Sequence, residues 1–554
     1  NLYEMNKRFF ALSMIFLLIL ACYANFVGNF NMSRSFMFDP VYSLYSDAVN
    51  FYFLHGIHDT TLLKSDLLVG SIKSNWHIIE CGNLFLAVQL FLMNFFSLAI
   101  VIKIVSILLC FVFSILIYRI GNHLYSNIQA IFLMWMLLVY FLTMDSFYGG
   151  QGRGFGVCIL CLFLLLLVKK KFFLLPILLP FVFLFYPSII PMLFVMCLLV
   201  PVFFKDAFKT PRAFGQYLSM LVISMMLTVQ FILSSYFMQH VLTNIRVFQS
   251  YKFAQVGTMS GNLNIFQIAL YYILNIKEHS LLYTYSTIFM MIVCAGMVLR
   301  NLKSVLLVPR VFWLMLLASI LAFMIVYPIN PTVASRQTVF TIPLFAVVFF
   351  AVNIFGMFRN NHKYLLMVLI PFLITFIVLH PKYNDIRNFR EFKQAYINMS
   401  SLPKDVLIAG YPKSRLIRTI PFFSRRAVFY VDKYRDILLG FYTLEELERR
   451  RQELIEALYA DSLEKVKVFV RKHKITYFVI EDYLYDNHFI ESFKNSKFPE
   501  DRQTYAFIKG AKKQGDFALF EFAKVNYDSK LTYPRGEIFV INAAKALVAH
   551  AGSQ

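Results

Sequence analysis

The sequence predicts an α-helical polytopic membrane protein with a C-terminal extracytoplasmic α/β domain. Three observations point there. First, the 554 residues are 59% hydrophobic and only 15% charged, whereas a soluble globular chain is about half apolar and about a quarter charged. Second, long apolar runs recur through residues 1–381, separated by short loops that alternate in charge. Third, from residue 382 onward the apolar runs shorten to strand length and charges become frequent.

A spanning helix needs about 20 mostly apolar residues. Candidates lie near 9–28, 97–118, 128–144, 156–168, 172–186, 188–204, 215–237, 282–299, 311–328, 338–357 and 364–380, about eleven spans of that kind. Met5-Asn-Lys-Arg8 reads as a natural start after a four-residue addition, and residues 9–28 as an uncleaved first span, because no small-residue cleavage site follows. With the N-terminus in the cytoplasm, the inner loops carry Arg119 and His123, Lys169 to Lys171, Lys205 to Arg212, Arg300 to Arg310, and Arg359 to Lys363. Each is short and basic, as the positive-inside rule requires. The alternate loops are 29–83, 145–155, the turn at Tyr186-Pro187, 238–281 and 329–337, and an odd number of spans puts the tail outside. Residues 84–96 read either as an interfacial helix or as an extension of the second span.

In the tail, Asp405 to Gly410 reads as a buried strand ending in a Gly-Tyr-Pro turn, and Ala427 to Val431 as another short apolar run. Thr443-Leu-Glu-Glu446 is a capping box that opens a helix, and a second helix is expected around 461–473. Ile475 to Ile480, Phe517 to Phe522 and Ile538 to Ile541 read as strands. Strands alternating with helices indicate a small α/β domain, here 382–554.

The net charge of +22 follows largely from this topology, with contact to anionic lipid headgroups as a further outlet. No nucleic-acid-reading motif accompanies it, so nucleic acid is not an expected partner. None of the seven cysteines lies beyond residue 300, so the outer domain uses no disulfide. Cys158 and Cys161 have C-x-x-C spacing inside a leucine-rich span, which reads as a buried helix face.

The segment Phe36 to Leu68, just after the first span, carries Asp39, Asp47, Asp59, Asp66, His55 and His58 among aromatics. An aspartate there is placed to act as general base on an acceptor hydroxyl at the membrane surface, a role that needs proximity more than an unusual pKa. Asp39 sits in a helix-breaking Phe-Asp-Pro, and Asp47 opens an amphipathic stretch, 47–55. The alternative is that both are caps or turn residues. His55, His58 and Asp59 share a helical face, which leaves a divalent metal open as a cofactor, although no D-x-D spacing supports one. Ser146 to Gly156, with Tyr148, Gly149, Gly150 and Arg153, is a glycine-rich loop at membrane depth. Such backbone belongs where it packs in protein or lines a cavity, and Arg153 suits an anionic phosphate. Arg336, in Pro328 to Thr338, stands at the mouth of a span, where a border arginine is a functional residue by default and snorkelling is the alternative. Asp432, Glu481 and Asp482 lie at strand ends of the tail and read mainly as solvated loop charges.

This layout resembles the GT-C class of membrane glycosyltransferases: a first span, a long outer loop with an early Asp, many spans and an outer α/β domain. Gly149-Gly-x-x-Arg153, Ser335-Arg336 before a late span, and Ile420-Pro-Phe-Phe-Ser-Arg425 look like motifs of its bacterial, polyprenyl-phosphate-sugar-dependent members. The resemblance implies transfer of a sugar from a polyprenyl-phosphate carrier to a glycan, lipid or protein acceptor on the outer face of the plasma membrane. It implies Asp47, or else Asp39, as the base, and Arg153 and Arg336 as holders of the lipid phosphate. The chain has no Asp-Glu pair and no W-W-D-type motif, which argues against an oligosaccharyltransferase and leaves the protein-mannosyltransferase subclass unsupported.

Two other readings share the lipid-linked substrate: a polymerase or ligase of lipid-linked glycans, and a transporter or flippase. A transporter predicts ionisable residues at mid-membrane. Here charges within spans are few, Lys103 being the clearest, and charge gathers at the outer rim.

Overall fold

A computed structural model describes residues 84–96, 98–142, 152–234, 292, 296, 308–328, 331–357, 390–432, 442–494, 499–512, 516–533 and 536–548. They fall into two compact units, one with the described residues up to 357, the other with those from 390 onward.

The first unit is helical, because a helix satisfies its backbone polar groups internally and so suits a sequence with little polar alternative. In chain order the helices are α1 (Leu84–Met93), α2 (Leu98–Leu124), α3 (Asn127–Leu142), α4 (Gly152–Val168), α5 (Leu174–Phe185), α6 (Ile190–Phe203), α7 (Pro211–Ser234), α8 (Arg310–Val326), α9 (Pro331–Thr338) and α10 (Thr341–Met357). The spans expected between 97 and 237, and those near 311–328 and 338–357, each meet a helix. Those near 9–28 and 364–380, and most of 282–299, lie outside the described residues. Residues 84–96 form a separate helix followed by a turn.

Among the described residues, Ile104–Leu124, Pro211–Phe231 and Arg336–Phe355 are long and apolar enough to cross a membrane, with five shorter apolar helices beside them. Their core is one apolar cluster that includes Phe113, Trp135, Phe163, Leu193 and Phe312. Gly121 lets α2 and α3 meet at backbone distance, since a Cβ there would lie 2.9 Å from the Ala130 Cα. Cys158 and Cys161 are buried, as their place on a helix face requires. The outward side of α7 exposes Val222, Ile223 and Met226, a face suited to hydrocarbon rather than water.

The second unit contains α11 (Lys393–Ser400), β1 (Leu407–Gly410), α12 (Ile420–Phe423), β2 (Ala427–Val428), α13 (Leu444–Leu458), α14 (Leu463–His473), β3 (Tyr477–Glu481), α15 (Asn487–Ser492), α16 (Pro499–Lys512), α17 (Ala518–Asn526), β4 (Ser529–Tyr533), β5 (Gly536–Asn542) and α18 (Ala543–Val548). The sheet order is β2-β1-β3-β5-β4. β1 runs parallel to β2 and β3, with Ile408 opposite Tyr477, and β5 runs antiparallel to β3 and β4. The Thr443 half of the expected capping box forms, its side chain accepting from the Glu446 N–H, while the Glu446 carboxylate accepts from Arg449 and Arg450. Phe517 to Phe522, expected as a strand, falls largely in α17, because its buried positions Leu519 and Ala523 repeat every four residues. Gly410 ends β1 where no side chain fits, since a Cβ would run into Ile417 and lie 2.8 Å from the Val479 carbonyl oxygen. The chain leaves β1 for β2 on one side and returns to β3 on the other, so the carboxyl ends of β1 and β3 flank a topological switch point.

Candidate functional site

The helices of the first unit converge on one polar knot. Tyr186 ends α5, donating its backbone N–H to the Val182 carbonyl, and Pro187 then opens a short 3₁₀ turn, Pro187–Ile189. The Tyr186 ring is buried, 7% exposed, and lies against Gly156 of α4. A Cβ on Gly156 would sit 3.0 Å from Tyr186 Cε1 and closer still to Cδ1, so the ring occupies the space a side chain would need. One residue earlier on each helix, Phe155 stacks on Phe185 at 5.7 Å. The hydroxyl of Tyr186 accepts a hydrogen bond from Arg336 Nη1 at 3.0 Å.

Gln337, fully buried, locks the same turn from the other side. Its Nε2 donates to the Ser188 carbonyl and its Oε1 accepts from the Met192 N–H at 3.2 Å. Met192 lies in the first turn of α6, where backbone donors lack intrahelical partners, so Gln337 acts as a cap delivered from a distant helix. The Gln337 carbonyl in turn accepts from Ser319 Oγ at 2.8 Å and Thr341 Oγ1 at 3.0 Å. Three chain segments that would each leave polar groups unsatisfied in an apolar bundle thus satisfy one another.

An apolar groove of about 400 Å³ runs between α5 and α7, lined by Ile177, Pro180, Phe181, Leu184, Met220, Ile223, Ser224, Leu227 and Phe231. The two helices are parallel, with Phe173 beside Tyr217 near one end and Phe183 stacked on Phe231 near the other. The Leu184–Phe231 end therefore lies at the Tyr186 turn, two residues from the phenol that holds Arg336.

Of the residues singled out from the sequence, Arg153 is half-buried in the first turn of α4 and Arg336 is half-buried near the end of α9. Tyr186 connects them, touching the helix of one and the side chain of the other. Asp39, Asp47, His55, His58, Tyr148, Gly149 and Gly150 lie outside the described residues. Tyr186, Gly156 and Gln337 were not singled out. The only signal was adjacency: Tyr186 opens the Tyr-Pro turn, Gln337 follows Arg336, and Gly156 closes the glycine-rich loop. Among the described residues, no group of three His, Cys, Asp or Glu side chains is placed to hold a metal ion.

The strand-end acids of the second unit depart from expectation. Glu481 is 1% exposed and accepts from Ser414 Oγ, while Asp432 faces Arg451 Nε at 3.3 Å. Arg451 also reaches Asp501 at 3.8 Å and Thr504 Oγ1 at 3.3 Å, and Lys413 pairs with Asp501. Asp432 is therefore not a solvated loop charge, since Arg451 pairs it, and Glu481 is buried against the Ser414 hydroxyl. Burial opposes the charge on Arg451, but Asp432 beside it holds the guanidinium pKa above its ordinary value. Burial, reinforced by Asp432 and Asp501, pushes the Tyr411 phenol well up. Lys413 and Arg451 meet the carboxylates of Asp432 and Asp501, so these four groups read as a tie between loops.

No protein-family profile matches the sequence, and no curated protein matches it. Among solved structures the chain is similar to the oligosaccharyltransferase of Archaeoglobus fulgidus. One, in complex with zinc and sulfate, gives a TM-score of 0.46 at 10% identity, over 95% of this chain and 73% of that one. The apo form gives 0.47 at 9% identity, over 96% and 74%. A complex with an inhibitory peptide and a dolichol-phosphate gives 0.42 at 10% identity, over 97% and 74%. Likenesses below 0.5 at a tenth identity establish neither a family nor an activity for this chain.

Proposed function

We propose that the protein is a membrane glycosyltransferase that takes a sugar from a polyprenyl-phosphate carrier and passes it to a hydroxyl acceptor on the outer face of the membrane. The observation that carries this reading is the pairing of a border guanidinium with an apolar slot. Arg336 is held by a buried phenol in the turn that ends α5, level with the Leu184–Phe231 end of the apolar groove whose one wall is α5. A cation at the same level as the end of an apolar surface groove suits an amphiphile with a phosphate head and an apolar tail.

In this reading Arg336 and Arg153 take the phosphate, and Asp47, or else Asp39, is the base. The acceptor oxygen attacks the anomeric carbon and gives its proton to the aspartate. The bond from that carbon to the phosphate oxygen breaks, and the charge left on the lipid phosphate rests on the guanidinium groups. Tyr148, Gly149 and Gly150 belong to the loop that covers the headgroup, and His55 and His58 contact the sugar or acceptor. The acceptor hydroxyl belongs to a glycan, a lipid or a protein, and residues 382–554 are proposed as the outer domain that presents it.

The test is release of polyprenyl phosphate from a synthetic polyprenyl-phosphate sugar by the purified protein in nanodiscs, with water or an added alcohol taking the sugar. Arg336→Gln should lower turnover by a hundredfold or more, the scale on which one transition-state charge contact acts. One of Asp47→Asn and Asp39→Asn should abolish turnover while leaving donor binding intact. Wild-type turnover in all three variants would remove the reading. Movement of the lipid across the bilayer without bond cleavage would favour a flippase instead.

A further inference from the structure

We infer that Tyr186 is a positioning residue for the phosphate-binding guanidinium, an inference that rests on the reading just given for Arg336. A long side chain at a bundle's rim has many rotamers, and an anion site needs one of them held. Tyr186 supplies that hold through two separate contacts. Its ring cannot swing toward α4 without meeting Gly156, and its centre lies 6.5 Å from that of the Phe340 ring. Its hydroxyl then meets Arg336 Nη1 at 3.0 Å. The turn that carries Tyr186 is itself fixed by Gln337, the neighbour of Arg336, through the Ser188 carbonyl and the Met192 N–H.

The same contact sets one guanidinium against the other. Residues three apart on a helix lie on one face, so Arg153 stands one turn from Gly156 on the side of α4 that meets the Tyr186 ring. Tyr186 thus fixes Arg336 relative to the end of α4 that bears Arg153. Neither the phenol nor the glycine is asked to touch the substrate. Together they make the pair of cations a preformed site rather than two mobile charges.

The test is a double-mutant cycle on the full chain in nanodiscs, with two probes: a long-chain polyprenyl phosphate and the uncharged polyprenol of the same length. Tyr186→Phe keeps the ring and its packing and removes only the hydroxyl. It should weaken phosphate-lipid binding about tenfold, the scale of a hydrogen bond to a charged group, and leave polyprenol binding within twofold. In an Arg336→Gln background the same substitution should have no further effect. Gly156→Ala, which displaces the ring, should reproduce the phosphate-selective loss. If Arg336→Gln weakens the phosphate probe while Tyr186→Phe does not, the inference falls and the assigned function stands. If Tyr186→Phe weakens both probes alike, its role is packing and the inference also falls. If Arg336→Gln binds the phosphate probe as wild type does, the phosphate role of Arg336 falls and takes the inference with it.

Discussion

Arg426 is 7% exposed, and its guanidinium is spent on main-chain carbonyls. Nε donates to Leu402 at 2.8 Å, and Nη1 donates to Ser424 at 3.1 Å and Arg425 at 3.0 Å, while Nη2 reaches Ser400 and Leu402. Burial, with Arg425 beside it, lowers its pKa. One planar fork thus satisfies the carbonyls that end α11 and those of the turn before β2, a task a point charge cannot perform. Arg426→Ala should cost the second unit about 3 kcal/mol, because several buried acceptors lose a charged donor at once. Arg426→Lys should recover less than half. Urea unfolding followed by the fluorescence of a probe on that unit measures both, and an Ala variant as stable as wild type would show the carbonyls to be satisfied otherwise.

At the scale of elements, α13 and α14 are pinned together by charge. Glu453 of α13 faces Lys472 at 2.6 Å and His473 at 2.5 Å, both of α14, and Arg449 of its own helix at 2.8 Å. Burial works against the Glu453 carboxylate, but the bonds from Lys472 and His473 prevail and bring its pKa from 4.5 to about 2. For His473 burial prevails over Glu453 and the pKa falls below 6.5. The signs then agree. A depressed carboxylate contributes stability that is present above its unfolded value and lost as pH falls from 4.5 through 2. A depressed histidine, held neutral in the fold, loses stability as pH drops below 6.5. The α13–α14 pair should therefore weaken in two stages on acidification, modestly, because the network is partly exposed and screened. Melting temperatures measured from pH 7 to pH 3 test this: Glu453→Gln should remove the lower stage and keep the upper one. These elements also mark what could be read in advance. The Thr443 box announced α13 because a cap is local, needing only the residue three places on. Phe517 to Phe522 misled because six residues are too few to separate a period of two from one of 3.6. Ser529–Tyr533 gave no signal because an edge strand with one face in water is half polar, its burial alternating along its length. Arg336 was readable as a lone charge beside a long apolar run, whereas Tyr186 was not, since its value depends on a partner 150 residues away.

For the molecule as a whole, the charge pattern becomes a statement about ends. α4 and α5 are antiparallel, with Phe155 at the start of one stacked on Phe185 at the finish of the other. The lysines 169–171 that join them therefore lie at the bundle end opposite Tyr186. Asp206 shows that other basic loops gather there too: Lys209 bonds it at 2.9 Å, and that contact, aided by Arg310 and Lys170, lowers its pKa. Lys170, Lys209 and Arg310, the last at the start of α8, come from three separate segments, and positive charge of this kind is retained on the cytoplasmic side. The same rule predicts that the Tyr186–Arg336 knot faces outward, where a carrier's headgroup would be presented. Single cysteines in a background lacking the seven native ones decide the matter. Lys170→Cys, on an exposed turn, should resist a membrane-impermeant maleimide in intact cells and react after permeabilisation, whereas Pro328→Cys, exposed between α8 and α9, should react in both. Labelling of Lys170→Cys alone in intact cells would turn the bundle over. Arg336 would then face the cytoplasm, where the proposed outer-face transfer does not take place.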